Sequence, residues 1–348
     1  MPFVPEPEVV AETVTGQPVH LVRLGHDALE VEVLTWGATL ASVRVPDRDG
    51  VLDHVVLGFD DPARWLGPHP YLGAALGRYA NRIAGGRFEL DGRPYQVPPN
   101  DGPNALHGGP SGFDRRVWTL TSVTDGVELR LVSPDGEMGF PGQLDVTVTY
   151  TVSGSTLRLD YVARADAPTV VNVSNHAYFH LGGPAATIED HVLTVDASAY
   201  LPVDEQSIPL GPPAEVTGTP FDFRVPTPVG ARVGEDNEQL RRSSGYDHAY
   251  VLDRRAGSAP TRAVRVHEPT SGRVLEVWTD QPALQVYSGN KLDGSVVGRG
   301  GRVIGRRSAL CLETEHYPDS PNHPDYPTTV LRPGELLRTT TELRFSTD

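Results

Sequence analysis

The stretch Leu144–Ala163, LDVTVTYTVSGSTLRLDYVA, carries the pattern that decides the fold. Apolar and polar residues alternate on both sides of a Ser-Gly pair, which is the period of a strand and the punctuation of a hairpin. The device recurs. RFELDGRPYQV (Arg87–Val97) turns at an Asp-Gly pair, and VWTLTSVTDGVELRLVS (Val117–Ser133) turns at another. LEVEVLTWGATLASVRV (Leu29–Val45) largely alternates, and HVLTVDA, RAVRVHEP, GRVLEVWTD and ALQVYSGN look the same. The 36 glycines and 32 prolines interrupt nearly every segment that would otherwise grow into a helix. GEDNEQLRR (Gly234–Arg242) has room for a helical turn or two. The expectation is an all-β protein, a large antiparallel β-sandwich. No repeat of fixed period appears, which argues against a propeller or solenoid. The Pro-rich span Leu201–Gly230 has the composition of a linker. Its Phe221 and Phe223 argue instead for an ordered connection, so residues 1–348 are read as a single domain.

With 348 residues the chain can bury a sizeable core without disulfides or a structural metal. Its 45 acidic and 30 basic residues leave a net charge of −15. A field of that sign repels phosphate backbones and anionic lipid, so neither nucleic acid nor a membrane surface is an expected partner. A neutral small molecule meets no such penalty. The single cysteine, Cys311, permits no intrachain disulfide and fits a reducing compartment. No secretion signal or membrane-length apolar run is visible, so the expected location is cytoplasmic. Lys291 is the only lysine, and any Schiff-base chemistry would have that one side-chain amine; its NKLDG context reads as an exposed loop.

Five segments hold polar residues that strand burial does not explain. LGRYANRIAGGRF (Leu76–Phe88) offers Arg78, Asn81 and Arg82 as hydrogen-bond donors among glycines; a surface turn with solvated arginines is the plainer alternative. NALHGGPSGFDRRVW (Asn104–Trp118) sets His107 before two glycines, either open to a ligand or pinning its loop through a backbone hydrogen bond. In NVSNHAYFHL (Asn172–Leu181), an extended Val170–Tyr178 would put Asn172, Ser174, His176 and Tyr178 on one face, suited to a cleft. His176 and His180 are also possible metal ligands, but no nearby Glu or Cys completes a set. SGYDHAYVLD (Ser244–Asp253) and ALQVYSGN (Ala283–Asn290) place Asp247 and Gln285 beside Tyr246 and Tyr287, a mix that suits a sugar's hydroxyls and ring face. Finally, in SALCLETEHYPDSPNHPDYPTTVLRPGE (Ser308–Glu335), Glu313 emerges from an apolar strand. Desolvation there would raise its pKa toward that of a general base. Glu315 shares its face if the strand persists, but reads more simply as a solvated strand-end acid. Cys311, inside the apolar run, reads as an inert hydrophobe. No nucleophile elbow, P-loop or dinucleotide fingerprint is present.

Taken together, GRYANRIAGGRF, NALHGGPSGFDRRVW, NVSNHAYFHL, YDHAY, LQVYSGN and LETEHYPDSPNHPDYPTTVLRPGE resemble, in order and spacing, the aldose 1-epimerase (galactose mutarotase) family. The likeness runs from about Val31 to near the C-terminus. It implies the family's large β-sandwich, the galactose mutarotase-like supersandwich. It implies a mutarotase, an isomerase of carbohydrate metabolism that interconverts the α and β anomers of free aldohexoses such as D-galactose and D-glucose. Glu313 falls at the family's catalytic base and His176 at its acid. Asn81, Arg82, His107, Tyr178, Asp247 and Gln285 fall at its sugar-contacting positions. No metal or other cofactor is implied. The partner expected is a small aldose, with the chain a monomer or homodimer. Two positions depart from the family pattern: His180 stands where asparagine is usual and Glu315 where glutamine is usual.

One base and one acid suffice for the reaction. The C1 hydroxyl gives a proton to Glu313, the C1–O5 bond breaks, and His176 protonates O5. This expects Glu313 ionised and His176 protonated together near neutral pH. The rival readings are a glycoside hydrolase using Glu313 and Asp247, a hexose-6-phosphate mutarotase using Arg78 or Arg115, and a sugar-binding protein without catalysis.

Overall fold

A computed structural model describes residues 6–123, 126–182, 187–253 and 259–348. Among the described residues every strand ladder is antiparallel, and the three largest sheets have nine, six and five strands. The expected antiparallel sandwich is what forms.

The hairpin that opened the argument lies in the nine-stranded sheet, as strands Leu144–Ser153 and Thr156–Ala165. Leu144, Val146, Val148, Tyr150 and Val152 are buried, and the residues between them are partly exposed or exposed. The ladder runs through Ser153, opposite Thr156, so the turn is Gly154-Ser155, one residue later than the Ser-Gly reading. Gly154 supplies the positive φ, 56°, that this tight connection requires. The Arg87–Gln96 hairpin turns at Asp91-Gly92 as expected, both with positive φ (51° and 74°). Of the third hairpin, Thr124 and Asp125 lie outside the described residues; the flanking strands pair, with Val123 opposite Gly126.

The inner face of the nine-stranded sheet packs against two smaller sheets side by side. One common core joins Val148 and Leu159 of the large sheet, Val31 and Val43 of the five-stranded sheet, and Val286 and Leu312 of the six-stranded sheet. Burying each such side chain contributes about 1.5–3 kcal/mol. The Pro-rich connection is ordered where described, and Phe221 and Phe223 are buried in that core. GEDNEQLRR yields one short α-helix, Glu238–Ser243, capped by the Asn237 side chain on the Gln239 and Leu240 N–H groups.

Val170–Tyr178 departs from the expectation of one extended strand. It breaks into short pieces, Thr169–Val170, Ser174–Asn175 and Tyr178–Phe179, each paired with a different partner. The proposed polar face is therefore divided. Asn172 binds the Ala80 carbonyl and the His316 N–H, and Ser174 lies against Leu76. Only His176 and Tyr178 reach the cleft described next.

Candidate active site

The six-stranded sheet carries the site on the face turned away from the core. Its strand Leu310–Glu315 lies between Tyr178–Phe179 and Ala283–Tyr287. Alternation sends Leu310 and Leu312 into the core and Cys311, Glu313 and Glu315 to the opposite side. Register then fixes the neighbours: Gln285 stands opposite Glu313, Tyr178 opposite Cys311, and Tyr287 opposite Asp247. All eight residues expected from sequence line one cleft of about 150 Å³: Asn81, Arg82, His107, His176, Tyr178, Asp247, Gln285 and Glu313. Pro70, Tyr71, Asp101, Leu106, Tyr287 and Lys291 complete its walls. A larger hollow, about 1110 Å³, lies elsewhere, over the five-stranded sheet, where Arg23 and Arg44 pair with Glu8, Glu32 and Glu30. Size does not mark the chemistry here; the convergence of buried titratable groups does.

His176 Nε2 lies 3.8 Å from Glu313 Oε1, and both residues are buried. The His176 ring stacks on Tyr178 (4.8 Å between centroids, 15°) and on Tyr71 (5.9 Å, 14°), while Tyr287 meets it edge-on (6.5 Å, 85°). Two loops bring in the remaining donors. Asn81 and His107 both adopt left-handed φ, 62° and 52°, and hold each other there. The His107 N–H donates to the Asn81 carbonyl (3.0 Å), and the Asn81 N–H donates to His107 Nδ1 (3.1 Å). The glycine after His107 has a packing reason: a Cβ on Gly108 would lie 2.1 Å from the Gly77 carbonyl oxygen. So His107 pins its loop and faces the cleft at once. Arg82 Nε donates to Asp101 (2.8 Å), and Gln285 Nε2 donates to Asp247 (2.7 Å).

Burial sets the protonation of the pair. It pushes the Glu313 carboxyl well above its ordinary value; Glu315 and Asp247 add to the shift and Arg82 opposes it. Burial also pushes His176 down to about 4, only partly offset by the Asp247 charge. Burial thus favours the neutral carboxyl and the neutral imidazole over their charged forms. This corrects the expectation of a standing Glu313 carboxylate and His176 imidazolium. Desolvation disfavours both charged forms.

Other expectations are corrected as well. Glu315 is no solvated strand-end acid: it is fully buried, accepts from Asn81 Nδ2 (2.8 Å), and is raised to about 8 by burial. Arg78 is neither solvated nor in the cleft. It is buried and donates to the carbonyls of Pro141 (2.9 Å), Gly142 (2.7 Å) and Ser133 (3.0 Å), a structural clamp. Tyr246 belongs to the core and donates to the Pro220 carbonyl (3.1 Å). His180 lines a separate hollow with Arg299 and His54. The metal question is also recast. The donor set that assembles is His107, His176 and Glu313, within 4.8 Å of one another, and not one built on His180. His107 fits that role poorly. Its Nδ1 accepts a backbone N–H, so the neutral ring carries its proton on Nε2, the nitrogen a cation would need. That nitrogen is a donor suited to a hydroxyl oxygen. Cys311 is buried, and burial pushes its thiol well up, in keeping with an inert role.

Fold and cleft together have the make-up of a carbohydrate site on a β-sandwich: aromatic walls, a paired carboxylate and amide, and a buried histidine beside a buried carboxyl. The sequence profile of the aldose 1-epimerase family matches residues 20–344. The galactose mutarotase of Rattus norvegicus is 45% identical over 332 residues, 95% of each chain. The aldose 1-epimerase of Escherichia coli is 41% identical over 335 residues, 95% of this chain and 96% of its own. The crystal structure of a galactose 1-epimerase from Lactobacillus acidophilus superposes with a TM-score of 0.85 at 30% identity, covering 100% of this chain and 99% of its own. The chain belongs to the aldose 1-epimerase family.

Proposed function

We propose that this chain is a mutarotase that interconverts the α and β anomers of free aldohexoses, with Glu313 and His176 as its proton-transfer pair. The observation that carries the reading is the 3.8 Å separation of His176 Nε2 and Glu313 Oε1 at the floor of the cleft. The hydroxyl oxygen and the ring oxygen of an aldose are both bonded to C1, so an acid and a base a few ångströms apart can serve them together.

The pair needs one proton, and burial favours the neutral carboxyl of Glu313. A bound sugar brings hydroxyl donors to the carboxylate, and Asp247 favours the imidazolium, so the working form carries the proton on His176. Glu313 then takes the C1 hydroxyl proton, C1–O5 breaks as the C1 carbonyl forms, and His176 protonates O5. Rotation about C1–C2 presents the other aldehyde face, and the two groups exchange roles on closure. His107 Nε2–H and Arg82 steady oxygens as charge develops on them. Asp247 and Gln285 bind hydroxyls, and Tyr178 and Tyr287 form the apolar wall.

The cleft's cations are matched by acids: Arg82 meets Asp101, and Lys291 lies 3.8 Å from Asp247. That balance favours a neutral sugar over a 6-phosphate. Arg78, a candidate phosphate ligand, spends its donors on backbone carbonyls. The single cysteine is the feature behind a cytoplasmic setting. Polarimetry on freshly dissolved α-D-galactose, α-D-glucose and a hexose 6-phosphate tests the reading. The two free sugars should relax to their anomeric equilibria much faster than in buffer. No acceleration of any of the three would refute it, and acceleration of the phosphate alone would transfer the activity to the rival substrate.

A further inference from the structure

Lys291 is the only lysine, against 29 arginines. It stands at the mouth of the cleft, and no step of the proton transfer uses it. Its side chain is 55% exposed, with Nζ 3.8 Å from Asp247 Oδ2. Its base is fixed, because its backbone N–H donates to the Tyr287 hydroxyl (2.9 Å). The preceding Asn290 is buried and donates to the carbonyls of Ser243 (3.2 Å) and Tyr246 (2.8 Å). Asp247 is itself held by Gln285 (2.7 Å). The result is an anchored stem, an exposed primary amine and a fixed carboxylate beside it.

Opening an aldose creates an aldehyde, and a primary amine next to an aldehyde condenses with it. An arginine in the same place stays protonated and lacks that reactivity. We propose that Lys291 is a covalent modification site for the protein's own open-chain sugar. The inference rests on the mutarotase reading. The amine lone pair attacks C1, the C1–N bond forms, and the carbonyl oxygen takes up a proton. Water then leaves with that oxygen, giving an imine. A proton moves from C2 to C1, so C2 is oxidised to a ketone while C1 is reduced to an amine-bearing carbon. No outside oxidant or reductant is needed. Asp247 is placed to accept the nitrogen's proton and to assist the later shift. The adduct puts a hydroxylated chain across the entrance, so activity falls as modification proceeds.

The test uses the intact protein with ¹³C-labelled D-galactose and cyanoborohydride, which reduces the imine as it forms. A lysine-containing peptide in the same tube serves as the reference amine, and mass spectrometry locates the label. Lys291 should label at least about tenfold faster than the reference amine, reflecting its closeness to the opened sugar. E313Q, which does not open the ring, should label at the reference rate. K291R should lose the label from that segment, and its rate, whatever the starting value, should not decline through prolonged exposure to sugar. Labelling of the unaltered protein at the reference rate, while polarimetry of the same sample shows mutarotation, overturns this proposal and leaves the activity standing. Equal labelling in E313Q and the unaltered protein overturns it too, since the aldehyde then comes from bulk solution. Absence of mutarotation overturns both readings.

Discussion

The hairpin Leu144–Ala165 and the strand Leu310–Glu315 share a period of two and differ in what their second face meets. In the first strand of the hairpin, buried apolar residues alternate with Asp145, Thr147, Thr149 and Thr151, which remain partly exposed. In Leu310–Glu315 all six residues are buried, including two carboxyl groups. The hairpin is built as stability alone would have it. The strand carries acids whose desolvation costs free energy and raises the pKa of Glu313. Side chains on the hairpin should therefore govern folding and leave the chemistry alone, while the two acids should do the reverse.

The largest effects are expected at the floor of the cleft. E313Q and H176N should each lower the mutarotation rate by about 10²–10⁴, measured by polarimetry. E313Q should not lower the melting temperature, because it removes a carboxyl whose charged form burial disfavours. Leu159→Ala makes the opposite prediction. It should cost about 2–5 kcal/mol in denaturant unfolding while the folded fraction keeps its kcat and KM. A fall in kcat for Leu159→Ala, or in stability for E313Q, would break the contrast.

Glu315 sharpens the comparison through pH. Its ordinary value is 4.5, and in the folded protein it is raised to about 8. Below the lower value both states are neutral and the burial costs nothing. As pH rises toward the upper value, the unfolded chain ionises and the folded chain does not, so stability falls. E315Q should thus raise the melting temperature more near pH 8 than near pH 5. It should also move the alkaline limb of the rate profile to lower pH, because it removes a charge that raises Glu313. The buried histidines act in the other direction. His69, His176 and His248, lowered to about 4 from 6.5, remove stability as pH falls through that window. The smallest effect belongs to the solvated face of the hairpin, where Thr149→Val should stay within about 0.5 kcal/mol.

The sequence made legible whatever alternation and punctuation encode. The hairpins, the two-sided strand Leu310–Glu315 and the single short helix were readable from the spacing of apolar residues and from Asp-Gly or Gly turns. The eight cleft residues were readable because polar groups on apolar strands need a reason, and the family likeness supplied one. What stayed hidden depends on contacts distant in sequence. Val170–Tyr178 has the pattern of one strand, yet its pieces pair with segments around residues 76, 311 and 331. Tyr71 comes from an irregular loop, and only its stacking on His176 reveals it. Glu315 looked solvated because nothing local announces that Asn81, more than two hundred residues away, covers it. Arg78 looked free for the converse reason, since its carbonyl partners lie in a loop far along the chain. The raised pKa of Glu313 and the lowered pKa of His176 follow from the degree of burial, which alternation does not measure.

The measurement that bears most directly on the pairing of Glu313 and His176 is a double-mutant comparison of mutarotation rates on fresh α-D-galactose. If the two groups work as one unit on one anomeric centre, the E313Q/H176N double variant should be no more than about threefold slower than the poorer single variant. Losses that multiply, or a single variant that keeps the unaltered rate, would contradict the pairing.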